Sequence, residues 1–533
     1  MSSTNFQSGT VIASTWLNDV NGVTYNKTFP DGTVALSAAP GTTLDAQFVS
    51  YEQGTLASGA VTRTVQNKLQ ESVSVKDFGA TGDGVTDDTL AFKDAIAACV
   101  NGNSLYIPYG QYVISDTLNI SNVHIFGDGI ARLDSSANII VSGSFNKPVF
   151  YSNNRTTIEG FSITGNATLS TTAQDLIQID GTNESTIRNM FLNKGYNLIN
   201  YLGTCFYSTV DNVRFYECKG SWLNILSTTA AGVDLMISNC RGTSADLEQQ
   251  YGFSFDGLGS LIMSDCQFAP IRSTGACMYV AALAPSAGVQ MISNTVFESY
   301  ETNVAAIYFQ GTLANPCKFF QFSNCYLGGD YAVIADYATE IMFTNCYFTG
   351  ATRGFQANIN VTNIVFDACQ FQVNNVPIAA NTAITTISLS LTDCIYTGTY
   401  SCVYLPNLSS SQIGYINVRG GSLGTNANPI YLSDYNNTKK SISAFGQSYG
   451  PVQSQIYTGT LDGSGGATIA HGINSGNSRI VSVYAVRKGS SSEALPITVT
   501  NFDGTSIVIT GGAPAASTNY RVFVQFVQET VAW

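Results

Sequence analysis

Charge is scarce in this chain. Only 11% of its 533 residues are Asp, Glu, Lys or Arg, less than half the usual share. Those few leave a net charge of −13, which argues against nucleic acid or an anionic membrane surface as the main partner. Histidine is scarcer still. His124 and His471 are the only two, so acid–base work in the middle of the chain falls to Asp and Glu. No apolar run approaches the roughly 18 residues of a membrane helix, so membrane insertion is not expected, and the polar stretch Met1 to Gln7 gives no expectation of a secretory signal. The twelve cysteines include no CxxC or CxxH pair. Neither a disulfide framework nor a metal site is expected, and no cofactor is implied. Coiled-coil heptads are also missing.

What is present is a repeat. From Ile158 to Leu423 a six-residue pattern returns at steps of 21 to 30 residues. It reads IEGFSI, IRNMFL, VDNVRF, ISNCRG, MSDCQF, ISNTVF, FSNCYL, FTNCYF, FDACQF, LTDCIY and VRGGSL. The first and sixth positions are almost always apolar and are expected to point inward. The third is Gly, Asn or Asp in ten of the eleven copies (Gly160, Asn189, Asn212, Asn239, Asp265, Asn294, Asn324, Asn345, Asp393, Gly420). These residues tolerate left-handed backbone, so a sharp bend between two short strands is expected there, with side-chain amides bonding from coil to coil. Six cysteines (Cys240, Cys266, Cys325, Cys346, Cys369, Cys394) share the fourth position and are expected to be a reduced internal stack of small buried groups. The fold class that follows is all-β: a parallel β-helix, a solenoid of about eleven coils.

Around this core the chain changes character. Residues 1–70 are low in charge and rich in Thr, Ser, Ala and Gly, and read as a docking segment and linker. In residues 71–125, Gly79, Gly82 and Gly84 mark turns. Asp87 or Asp88 is expected to cap a helix with an apolar stripe of Leu90, Phe92, Ile96, Cys99 and Val100, which covers the open end of the solenoid that occupies 126–450. After the linker GQSYGPVQSQ, residues 451–533 read as antiparallel strands of a small β-sandwich, where His471 has a structural role. Turn formation and helix capping account for Asp83, Asp87 and Asp88 better than calcium binding does.

The stretch SVKDFGATGDGVTDDTLAFKDAI, followed by LYIPYGQYVISDTLNI and preceded by SGAVTRTVQNKLQE, resembles the opening of pectate-lyase-like right-handed β-helix proteins, most closely bacteriophage tailspikes. The resemblance covers residues 60–125 by motif and 126–430 by repeat. It implies a capsule depolymerase of the virion tail: a parallel homotrimer, joined to a phage tail or adaptor protein through its N-terminal segment and folded in the host cytoplasm. It also implies that a bacterial surface polysaccharide (capsule, O-antigen or exopolysaccharide) is the partner, cleaved by hydrolysis or β-elimination. The C-terminal module resembles trimerising or carbohydrate-contacting modules of tailspikes. No catalytic residue transfers by motif.

Paired carboxylates suit glycoside cleavage, one donating a proton to the leaving oxygen while the other activates water or attacks the sugar. Counted from the fourth motif position, Asp246, Arg272 and Glu301 lie six residues on, Asp330 five, Glu298 three and Arg353 seven. All follow the second strand of the motif, so one side of the solenoid is the candidate groove. The stretch FESYETN offers Glu298, Tyr300 and Glu301, and SADLEQQYGFSFDG offers Asp246, Glu248, Tyr251 and Asp256. The candidate catalytic residues are Glu298, Glu301, Asp330, Asp246 and Asp256; the candidate substrate-binding residues are Arg272, Tyr300, Arg353, Tyr251 and Glu248. Aromatic rings pack on sugar faces, and arginine holds carboxylates bidentately. Solvated charge on the outside of a solenoid is the plainer account of each, and Arg214, Arg241 and Arg419 are expected to stand isolated on exposed coils. Three readings remain: a tailspike hydrolase, a polysaccharide lyase, and a receptor-binding fibre without catalysis. A cellular pectinase is disfavoured, because the short NTD, GHG and RIK motifs of polygalacturonases do not occur.

Overall fold

A computed structural model describes residues 26–28, 34–36, 49–51, 61–99, 104–129, 137–142, 145–166, 174–181, 184–226, 233–244, 249–256, 258–271, 273–281, 288–381, 384, 386–398, 400–405, 413–423, 430–432 and 440–445, and the strands 452–460, 466–470, 478–488, 494–502, 506–510 and 519–528. The chain divides into residues 1–73 and 74–533. In the first unit, Asn26–Thr28 pairs antiparallel with Val34–Leu36. The short helix Val65–Leu69 is capped by the Thr64 hydroxyl, which accepts the Asn67 N–H at 3.0 Å.

The second unit is a parallel β-helix of three strand columns. The first column begins at Ser104–Ile107 and His124–Gly127, runs through the first half of all eleven motifs and ends at Lys440–Phe445. The second column begins at Gly110–Ile114, takes up the second half of each motif and ends at Ser422–Leu423. The third runs from Leu118–Asn119 to Ile430–Leu432.

The bend at the third motif position is left-handed in every copy. The eight Asn and Asp residues have φ between 49° and 57°, Gly160 has 78° and Gly420 has 62°. The exception to the residue pattern, Ala368, is held there too, at φ 51°. Amides climb this corner: Asn345 Nδ2 donates to Asn324 Oδ1 at 2.6 Å, Asn324 to Asn294 at 3.3 Å and Asn294 to Asp265 at 3.2 Å. Asn239 leaves the row and bonds Asp211 instead, at 2.9 Å.

The first motif position is buried in all eleven copies, and each such side chain contributes roughly 1.5–3 kcal/mol relative to exposure. Phe322, Phe343 and Phe366 stack at 5.0 and 5.3 Å. At the sixth position Gly242 replaces a large residue because Trp222 fills its space; a Cβ there would come within 2.6 Å of the indole.

The cysteine column is buried and unbridged, and its thiols do more than fill space. Each donates to the carbonyl two residues back, as in Cys266 to Ser264 at 3.0 Å and Cys240 to Ser238 at 3.2 Å. Thr295, the one threonine in the column, makes the same bond to Ser293 at 2.8 Å. In these seven rungs, from Cys240 to Cys394, the position therefore holds a small side chain with a donor.

The helix before the solenoid is Thr89–Ala98. Asp87 Oδ1 accepts the Thr89 N–H at 2.9 Å, whereas Asp88 makes no capping bond and instead accepts from Thr81 and Gly82 N–H at 2.7 and 3.2 Å. The buried face is Phe92 and Ala95; Leu90, expected in the stripe, is 70% exposed. At roughly 100° per residue it stands about 200° from Phe92, on the opposite side of the helix. Phe92 packs edge-on against Tyr112 of the first second-column strand, at 5.4 Å. Val100 lies outside the described residues. At the C-terminal end six antiparallel strands pair in order 452–460, 519–528, 478–488, 494–502, 506–510 and 466–470. The strand Ala494–Phe502 pairs with one neighbour through its first four residues and with another through the rest, as a strand shared between two sheets does.

Candidate functional site

Several of the candidate residues lie at the end of the second column and in the corner that follows it. In Val296–Glu298, Phe297 is buried and its two neighbours face outward. Glu298 lies in register with Gly328 and then Thr349, and one residue on from the Phe268–Phe297 pair comes Ala269, so small residues flank the carboxylate along its row. Tyr300 is 61% exposed. Its hydroxyl donates to Glu298 Oε2 at 2.7 Å, and this carboxylate pushes the phenol up to about 12.

The corner is closed by the Val304 N–H donating to Glu301 O at 3.3 Å. It is stapled by the next rung: Asp330 Oδ2 accepts the Asn303 N–H at 2.8 Å and Asp330 Oδ1 accepts the Thr352 hydroxyl at 2.5 Å. Arg353 pairs in register with Tyr331, and its Nη1 donates to Thr352 O at 2.8 Å. Glu298, Tyr300, Glu301, Asp330 and Arg353 thus share one corner over three successive rungs. Asp246, Glu248, Arg272 and His471 lie outside the described residues. Gln249 and Ser273 form a parallel bridge.

Tyr251 opens the third-column strand Tyr251–Asp256 and stacks on Tyr279 at 4.4 Å; Tyr279 meets Tyr308 edge-on at 5.9 Å. The Tyr308 hydroxyl donates to Asp336 at 2.6 Å. Burial and then that bond push the Tyr308 phenol well up. Asp256 closes the same strand as Tyr251 at its far end and is buried, so the structure does not bring it to the corner of Glu298. His124 is on the first column, with Nε2 2.8 Å from Glu159, which also accepts from Arg188 Nε at 2.5 Å. Arg188, and then His124, hold the Glu159 carboxyl below its ordinary range. Among the described residues, no three His, Cys, Asp or Glu side chains converge as metal ligands do.

One feature of the outer face differs from expectation. Arg214 and Arg241 are not isolated: they sit directly opposite each other on adjacent rungs of the second column. With Phe191, Tyr216, Thr243 and Gln267 they line a groove of about 400 Å³. The signal was in the motif's fifth position, which reads Phe191, Arg214, Arg241, Gln267, Val296, Tyr326 and Tyr347 along successive rungs. Tyr326 and Tyr347 stack at 5.7 Å. This row and the row of Glu298 share one face.

Residues 72–269 match the family model described as rhamnogalacturonase A/epimerase, pectate lyase-like. The pre-neck appendage protein of Bacillus phage phi29 is 32% identical over 142 residues, 26% of this chain and 16% of that protein. Mannuronan C5-epimerase AlgE2 of Azotobacter vinelandii is 48% identical over 69 residues, 11% of this chain and 7% of the epimerase. The matched part is thus a minor share of each relative. Among solved structures, a tailspike protein of E. coli bacteriophage HK620 superposes with a TM-score of 0.49 at 13% identity, covering 91% of this chain and 98% of the tailspike.

Proposed function

We propose, from the resemblance to pectate-lyase-like and phage-appendage proteins over the cap and first coils, that this chain is a virion appendage that binds and depolymerises a bacterial surface polysaccharide. Glycoside hydrolysis is the reaction we favour. The observation that carries it is the Glu298–Tyr300 pair, held outward on a face that continues for many rungs. Rungs stack about 4.8 Å apart, so the seven rungs from Phe191 to Tyr347 span roughly 30 Å, the reach of several sugar units.

In this reading Glu298 is the general acid that protonates the glycosidic oxygen, and the Tyr300 hydroxyl orients its carboxyl. Glu301, in the same corner, is the second carboxylate, activating water or attacking the sugar. Asp330, with both oxygens occupied by hydrogen bonds, positions the corner instead of reacting, and Arg353 and the Tyr251 stack contact the glycan. Asp246, Glu248 and Arg272 stay candidates of the sequence alone, and Asp256 lies on the third column. Assembly as a homotrimer and attachment to a phage tail complete the proposal.

The test is incubation of the purified chain with surface polysaccharides from a broad bacterial panel, following new reducing ends together with the ultraviolet absorbance of an unsaturated sugar end. Reducing ends without absorbance support hydrolysis, absorbance replaces it with elimination, and neither across the panel leaves a binding fibre. Sedimentation of the intact chain tests the trimer.

A further inference from the structure

We propose that the groove over Arg214 and Arg241 is a subsite for a carboxylate-bearing sugar, so that the bound polysaccharide contains uronic acid. This rests on the reading above for the presence of a glycan, and adds its chemical class.

Three observations carry it. First, Arg214 and Arg241 are direct register partners on adjacent rungs of a parallel ladder, and like charges in that relation destabilise a sheet. Second, nothing in the described structure offsets the cost: neither side chain joins any of the ion pairs among the described residues, although acidic residues outnumber basic ones in this chain by 36 to 23. Third, the pair is exposed in a groove beside the half-buried Tyr216, which stacks on the buried Phe191 at 6.3 Å, with the amide of Gln267 on the next rung. An anion supplies the missing counter-charge. A planar carboxylate fits the forked donors of arginine bidentately, while a sugar ring attached to it meets the aromatic edge. From Arg241 to the rung of Glu298 is two steps, roughly 10 Å, so a chain held here passes the candidate acid.

The experiment uses the full chain and measures binding by calorimetry to oligomers of galacturonate, mannuronate, glucuronoxylan and hyaluronan, each paired with its carboxyl-reduced counterpart. At least one acidic oligomer is expected to bind about tenfold or more tighter than its neutral twin, the scale of charge-assisted hydrogen bonds. The double variant Arg214→Gln/Arg241→Gln should bring that ratio near one with a melting temperature that is equal or higher, since the like-charge repulsion is gone; Arg214→Lys/Arg241→Lys should restore only part of it. Lack of preference for every acidic member, or a preference that survives the double Gln variant, overturns the proposal. So does a double variant that changes the sedimenting mass while glycan binding is absent, since the groove then faces a second copy. The two readings fail separately. Cleavage of neutral and acidic polymers alike removes the arginine subsite and keeps the Glu298 reading; a carboxylate preference without cleavage does the reverse.

Discussion

At position 298 a single atom exchange separates chemistry from architecture. Glu298→Gln preserves shape and a hydrogen bond from Tyr300 but cannot donate a proton, so depolymerisation should fall by roughly a hundredfold or more, with glycan affinity and melting temperature unchanged; full activity would remove the assignment. The same variant should lower the Tyr300 phenol from about 12 toward its ordinary value near 10, seen as phenolate absorbance in an alkaline titration. The sign is set by proton count: between those values the folded chain holds a proton that the unfolded chain has lost, so this group favours folding below pH ~10 and ceases to as pH rises through ~12. The bends offer a second residue-scale test. Ala368 sits at φ 51° without a side chain suited to it, so Ala368→Gly should stabilise by about 0.5–1 kcal/mol, the left-handed strain relieved less the added freedom of the unfolded chain. Asn345→Ala should cost about 1–2 kcal/mol, through the same strain and a lost ladder bond. Denaturant midpoints for the pair check both, and equal shifts in one direction would contradict the account.

At the scale of strand and corner, much was readable beforehand. The bend residues, the inward first position and the buried cysteine column follow from side-chain size and backbone tolerance, and each is local enough to see in six letters. What was not readable depends on neighbours. Ala368 gives no hint of its conformation, because surrounding rungs impose it. Leu90 turned outward because only helix packing fixes the phase of a short helix, and Asp88 was drawn from capping by the loop at Thr81. The Arg214–Arg241 pair required reading down a column instead of along the chain. The cysteines were seen as small groups, yet the bond shared by Cys266 and Thr295 makes donor capacity the second criterion. Thr295→Cys should therefore change stability by no more than about 0.5 kcal/mol, while Thr295→Val, which keeps the volume but leaves the Ser293 carbonyl without its donor, should cost about 1–2 kcal/mol; equally small losses in both would show that volume alone matters.

At the scale of the whole molecule, the described solenoid makes its contacts mainly between adjacent rungs, so its stability accumulates by neighbour terms. An interior rung has partners above and below; an end rung has one. Loss of structure then begins where a partner is missing, and the edge-on contact of Phe92 with Tyr112 guards one such place. Phe92→Ala removes a fully buried ring at an expected cost of about 3–5 kcal/mol, and it should hasten unfolding in guanidinium more than Phe343→Ala, a ring of similar burial in mid-stack. Equal rates would place the first opening elsewhere. Heat, protease or mechanical drag on the described rungs should therefore take hold first at an end, where a lid has to be pried up. Durability in such a body is decided by a handful of side chains at its rim.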